Sequence, residues 1–249
     1  MKDLSLSTVG AVCAVLLVVA FVLGIAFSAT SGVQTLIPET GENGLEWIYD
    51  VDGAGDLFLA GAWLAILGGY LGIVALIGFY DALRDAGRVL ILAPILGAVG
   101  LTLVTFSHLI PIALANELVP AYTEASGPTQ ESLAGSFQTL TSIALVTNDA
   151  GNFLGWGIAV PMIAYAILKT AVVARWIGWL GMVVAVFAGW LGLLFGRMSS
   201  AIEGISSVGL LAFFVFMLSM GITLLRRRGQ PMAKVGRADP IALAGGGGR

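Results

Sequence analysis

The chain has 249 residues, of which 58% are apolar and only 11% charged, with a mean hydropathy of +0.96. Soluble domains carry roughly 25% charged residues, so closing this chain in water would leave a vast apolar surface exposed. The net charge of −3 and the lack of any long Lys/Arg block exclude nucleic acid as a partner. Uncharged runs of about 20 residues recur, each long enough for a hydrocarbon core of roughly 30 Å. The expected class is therefore all-α, a polytopic transmembrane helical bundle.

In chain order, the first apolar run covers residues 6–29 and contains the single cysteine, Cys13. It exceeds the 7–15 apolar residues of a secretory signal, which favours a retained helix over a cleaved one. A polar loop, 30–56, follows with six carboxylates and no Lys or Arg. Trp47 and Tyr49 in this loop have the amphipathic character of interface anchors. The second span is expected at 57–80, with Asp56 placed to cap its first turn. After the turn Asp81–Arg88 comes a third span, 89–111.

The longest connection, 112–152, separates the third span from the fourth, at 151–168. Within it, residues 130–146 set Leu133, Phe137, Leu140, Ile143 and Ala144 near one helical face. That pattern reads as an extra amphipathic helix, either interfacial or re-entrant. A fifth span is expected at 176–195 and a sixth at 204–225, ending at Arg226-Arg227-Arg228. Residues 1–228 then form the transmembrane domain, and 229–249 a disordered cytoplasmic tail too poor in apolar residues to fold alone.

In this six-span arrangement every Lys and Arg except Arg197 falls on one side, and most carboxylates fall on the other. The positive-inside rule makes the basic side cytoplasmic, with both termini inside and the protein in the plasma membrane. The span interiors hold no Asp, Glu, Lys or Arg. Intramembrane charges usually mark proton relays and ion paths, so their absence argues against a proton-coupled carrier. It also excludes a retinal-type lysine, and one histidine cannot supply a bis-histidine haem. No cofactor is implied.

The candidate chemistry gathers at the carboxylate-rich side. His108, the sole histidine, lies about 28 Å along the third span from Val89, near the outer boundary. With Asn116, Glu117, Asn148, Asp149 and Arg197 it forms a candidate ligand-binding vestibule, the helix at 130–146 serving as its lid. The competing reading is that His108 is a satisfied interfacial residue, Asn148 and Asp149 cap the fourth span and Glu117 stays in water. Asp50, Asp52 and Asp56, with two interleaved glycines, have hard-oxygen spacing for a cation but lack the downstream Glu of an EF-hand. The glycine pairs Gly68/Gly72, Gly151/Gly155 and Gly192/Gly196 suit close helix packing, within the bundle or toward a homo-oligomer or partner membrane subunit.

The motifs Gly78-Phe-Tyr-Asp-Ala-Leu-Arg84 and Ala174-Arg-Trp-Ile-Gly-Trp-Leu-Gly181, together with the acidic outer loop and the long outer connection, resemble a family of bacterial six-helix membrane proteins of unknown function. The resemblance implies a fold and no activity. The expectation from sequence is a non-enzymatic binding, sensory or accessory subunit among membrane lipids. A transporter or channel for a small or apolar solute is the alternative, and a lipid-modifying enzyme centred on His108 and Glu117 a further one.

Overall fold

The computed structural model describes residues 5–33, 35–192 and 200–227. Among these there are helices and no strands. Arg197 and the tail at 229–249 lie outside the described residues.

Helix α1 (Leu6–Ser31) starts at Ser5, whose hydroxyl accepts from the Thr8 amide at 3.3 Å. A short helix, α2 (Glu42–Ala54), precedes α3 (Asp56–Leu83). Gly55, with φ of 57°, makes the break between them, and Asp56 is the first residue of α3. Asp56 therefore complements the helix dipole instead of capping through its side chain. Helix α4 (Leu92–Ala113) runs through a π-helical segment, Leu114–Leu118, into α5 (Val119–Glu124). Helix α6 (Pro128–Asn152) likewise runs through a π-helical segment, Phe153–Ala159, into α7 (Val160–Thr170). Helix α8 (Arg175–Val184) continues into a third π-helical segment, Ala185–Gly192, and α9 (Ser200–Arg226) closes the described bundle.

Five helical stretches are long and apolar enough to cross a membrane: Leu6–Ser31, Asp56–Ala86, Arg88–Glu124, Pro128–Thr170 and Val208–Arg226. The stretch Arg175–Leu191 is apolar but shorter, at 17 residues. Consecutive stretches pack antiparallel, as close approaches along their lengths show. Gly10 meets Gly78 and Gly24 meets Gly61 between α1 and α3. A Cβ on Gly10 would lie 2.5 Å from the Gly78 Cα, so the two backbones touch with no room for a side chain. Gly100 and Gly151 bring α4 and α6 equally close, and Gly181 rests against Phe216 between α8 and α9. Gly68 and Gly72 face Phe21, Leu17 and Leu101, so this pair and Gly151 serve packing inside the bundle.

The main core is a cluster of apolar side chains, from Leu17 and Phe79 to Ile163, Phe216 and Met217, and the buried polar residues Thr105, Ser107, His108 and Thr141 lie outside that cluster. A small space of about 20 Å³ lies between Leu17, Leu76, Leu101, Val160, Phe213 and Met217.

One end of the bundle is basic. The Ser7 amide donates to Asp81 at 3.2 Å, the Lys169 ammonium to the Ala86 carbonyl at 2.8 Å, and Arg227 to the Val172 carbonyl. These bonds gather the start of α1, the α3–α4 turn, the α7–α8 turn and the end of α9.

The opposite end differs from expectation. Residues 130–146 form no separate lid or interfacial helix, because α6 continues into α7 as one path of 43 residues. At 1.5 Å per residue that path is about 64 Å long, and the 37 residues of Arg88–Glu124 span about 55 Å. Both exceed a hydrocarbon core of roughly 30 Å, so the pair projects well beyond it. The segment read as a polar loop contains α2, which docks on this projection.

Candidate functional site

The projecting helices and α2 enclose a second hydrophobic core, separate from that of the bundle. Val33, Trp47, Ile48, Phe58, Leu114, Val119 and Phe137 are buried in it. Trp47 is not an interface anchor. Its ring lies edge-on to Phe58 at 5.4 Å and tilted against Phe137 at 5.9 Å, and its indole N–H donates to the Thr35 carbonyl at 3.1 Å. Tyr49 stays exposed and meets Tyr122 at 6.2 Å.

The sequence folds this way because α2 is amphipathic, with Gly44, Trp47, Ile48, Val51 and Ala54 buried along one face. The amide of Gln138 on α6 then accepts from the Gly41 N–H at 2.8 Å and donates to the Gly41 carbonyl at 2.9 Å. That two-way bond satisfies the backbone at the start of α2, where Gly41 offers no capping side chain.

This cap carries a polar groove of about 280 Å³, lined by Thr35, Glu39, Asn43, Glu46, Trp47 and Asp50. Asn43, Glu46 and Asp50 follow one another at i, i+3 and i+7 on α2, which brings them to one face. Asn43 Nδ2 reaches back to Glu39 Oε2 at 3.5 Å. The groove holds three carboxylates and no cation, so its chemistry suits a positively charged group.

Of the residues singled out by sequence, His108 and Asn148 come together, linked through Ser107. Ser107 Oγ donates to the Val104 carbonyl at 2.6 Å and lies 3.4 Å from Asn148 Oδ1. His108 is buried, with Nδ1 2.8 Å from the same carbonyl and 3.3 Å from Ser107 Oγ. The histidine Nδ1 and the serine hydroxyl thus both lean on the backbone of their own helix, and only the Ser107–Asn148 contact crosses from α4 to α6. Asn116 and Glu117 are exposed on the π-helical segment, about 12 Å further along the helix axis. Asp149 is half-buried on α6. Asp50, Asp52 and Asp56 are all exposed on helical backbone. Among the described residues no three His, Cys, Asp or Glu side chains converge to hold a metal ion.

Sequence reasoning missed the groove-forming set Glu39, Asn43 and Glu46. The signal was present as helical spacing within a segment taken for a loop. It also missed a larger cavity at the basic end, beside Arg88 and Lys169, which no spacing rule encodes because its walls come from the α3–α4 turn, the second π-helical segment, α7 and Trp190 of the third π-helical segment.

No protein-family model, curated protein or solved structure matches the chain. The resemblance carried by Gly78–Arg84 and Ala174–Gly181 gains no support from them, and function is argued from geometry.

Proposed function

We propose that this is a six-span plasma-membrane protein with both termini cytoplasmic, acting without chemistry of its own as a binding, sensory or accessory subunit. The observation that carries the reading is the cap. A folded, acidic-grooved module stands on two helices that outrun a bilayer, on the face opposite every described Lys and Arg. The positive-inside rule turns that face outward. Its occupant in this reading is a cationic group, presented by a partner subunit or a ligand.

Length marks five spans, and chain direction favours a sixth. Residues 175–192 leave the basic end, α9 returns to it, and the two stay in contact from Gly181–Phe216 to Ala188–Gly209. In this reading the stretch makes a sixth traverse although it is short. A carrier is disfavoured by the apolar walls of Leu17, Leu76, Leu101, Val160, Phe213 and Met217, which leave a space of only about 20 Å³ between them.

Co-purification from a mild detergent tests the role. A partner should follow the wild-type chain and be lost from an E39Q/E46Q/D50N variant; a wild-type chain that elutes alone and monomeric overturns the accessory reading. In a Cys13→Ser background, Thr123→Cys should react with a membrane-impermeant maleimide in intact cells and Ala174→Cys should not. The reverse pattern would invert the orientation.

A further inference from the structure

The cavity at the basic end has a volume of about 600 Å³, within the range of about 300–1,000 Å³ typical of small-molecule sites. It lies on the side of the bundle between the start of α4 and α7, and two of its lining residues, Val89 and Tyr165, are largely exposed. It sits within stretches apolar enough to cross a membrane, so its open side faces lipid.

The two ends of the cavity differ in chemistry. At the basic end stand Arg88 and Lys169. Lys169 is held in place by its bond to the Ala86 carbonyl, which uses one of three ammonium protons. Arg88 is exposed and makes no ion pair among the described residues, whereas the neighbouring Arg84 is paired with Asp81 at 3.5 Å. No carboxylate lines the cavity. Away from this end the walls are apolar, formed by Ile158, Pro161 and Met162. The far end is stopped by Trp190, whose indole is pinned to the Gly157 carbonyl at 3.1 Å.

From Lys169 to Gly157 is 12 residues, about 18 Å along the helix. That is close to the roughly 15 Å of one leaflet, half of a hydrocarbon core. The cavity thus has the length of one leaflet, a cationic end at headgroup level and a floor near mid-membrane. Basic pockets between transmembrane helices on the cytoplasmic side are suited to anionic headgroups.

We infer that this cavity is a site for one anionic glycerophospholipid of the cytoplasmic leaflet, with the phosphate between Arg88 and Lys169 and an acyl chain laid along Pro161 and Met162 as far as Trp190. A zwitterionic lipid fits the apolar part equally well but brings its own cation to Arg88 and Lys169. The site is therefore selective by headgroup charge.

The test uses the full chain in nanodiscs of defined phosphatidylglycerol and phosphatidylcholine content. Lipid retained after transfer to mild detergent is counted by native mass spectrometry. Wild type should retain one phosphatidylglycerol with a preference on the order of tenfold over phosphatidylcholine. R88Q and K169Q should each reduce that preference, and the double variant should abolish it; Gln at 169 keeps a donor for the Ala86 carbonyl. R175Q, at the same end but outside the cavity, should leave it unchanged. Met162→Trp, which fills the apolar wall, should lower retention of both lipids.

Equal retention of the two lipids by wild type overturns the inference, and so does an R175Q effect as large as that of R88Q, which would mark diffuse surface attraction. Displacement of the lipid by millimolar inorganic phosphate would identify a free-anion site instead. None of these outcomes depends on the cap or its partner.

Discussion

Trp190 and Pro161 offer a sharp test of how this bundle is held together. Proline has no N–H, so Pro161 cannot donate to the carbonyl four residues earlier, that of Gly157. The preceding turns widen into the π-helical segment Phe153–Ala159, and the Gly157 carbonyl is free to accept from Trp190 Nε1 at 3.1 Å. Gly157 is buried, and Gly189 approaches it so closely that a Cβ there would lie 2.6 Å from the Gly157 Cα. In Trp190→Phe the edge-to-face contact with Phe153, now at 5.0 Å, is largely kept while the donor is lost. A buried carbonyl left unpaired costs about 1–3 kcal/mol, which for a chain of this size lowers Tm by about 2–12 °C.

Pro161→Ala restores an N–H at the position that can serve the same carbonyl. In that background Trp190→Phe should cost less than half as much, giving a coupling of about 1 kcal/mol or more. Thermal unfolding of the four purified proteins in one detergent, followed by circular dichroism, measures the cycle. Equal losses from Trp190→Phe in both backgrounds would falsify the idea that the proline creates the acceptor which the tryptophan satisfies.

Two other substitutions probe the cap and the bundle separately. Phe137→Ala removes a fully buried ring from the cap core, at a cost of about 3–5 kcal/mol; hydrogen exchange in α2 should accelerate by on the order of 100-fold or more while α1 and α3 stay protected, and equal acceleration everywhere would mean that cap and bundle unfold as one unit. Gly151→Val places a side chain where even a Cβ lies 2.5 Å from the Gly100 carbonyl oxygen, so α4 and α6 must part and the chain should lose monodispersity on size exclusion. Gly155→Ala, in the same small-residue motif but with nothing within 4 Å, should be tolerated.

These cases show how much of the architecture could be read in advance. The bundle was legible because a span declares itself locally: some 20 uncharged residues cannot remain in water. Small residues such as Gly68, Gly72 and Gly151 also announced close packing, although their partners Phe21, Leu101 and Gly100 were not named by any pattern. The cap was only half legible. Residues 130–146 were recognised as amphipathic, but an apolar stripe does not say whether it faces lipid or protein. Here it faces Trp47 through Phe137. The candidate vestibule grouped residues by their expected side of the membrane, whereas helix geometry sets Asn116 and Glu117 about 12 Å beyond His108.

Composition and the distribution of charge were sufficient for a helical membrane protein with a basic end and an acidic end, since both follow from the cost of burying charge in hydrocarbon. They were also sufficient to leave the span interiors without ionisable chemistry. Folding decided the rest. α2 becomes a helix because α5 and α6 give its apolar face something to bury, and only then do Asn43, Glu46 and Asp50 share a groove with Glu39. Pro161 carries a missing hydrogen bond in its own covalent structure, but its complement lies 29 residues further on, at Trp190. Arg88 and Lys169 meet around one cavity because α4 and α7 begin and end at the same level of the bundle. Such pairings depend on which helix lies beside which, a property of the packed chain that no local stretch of it contains.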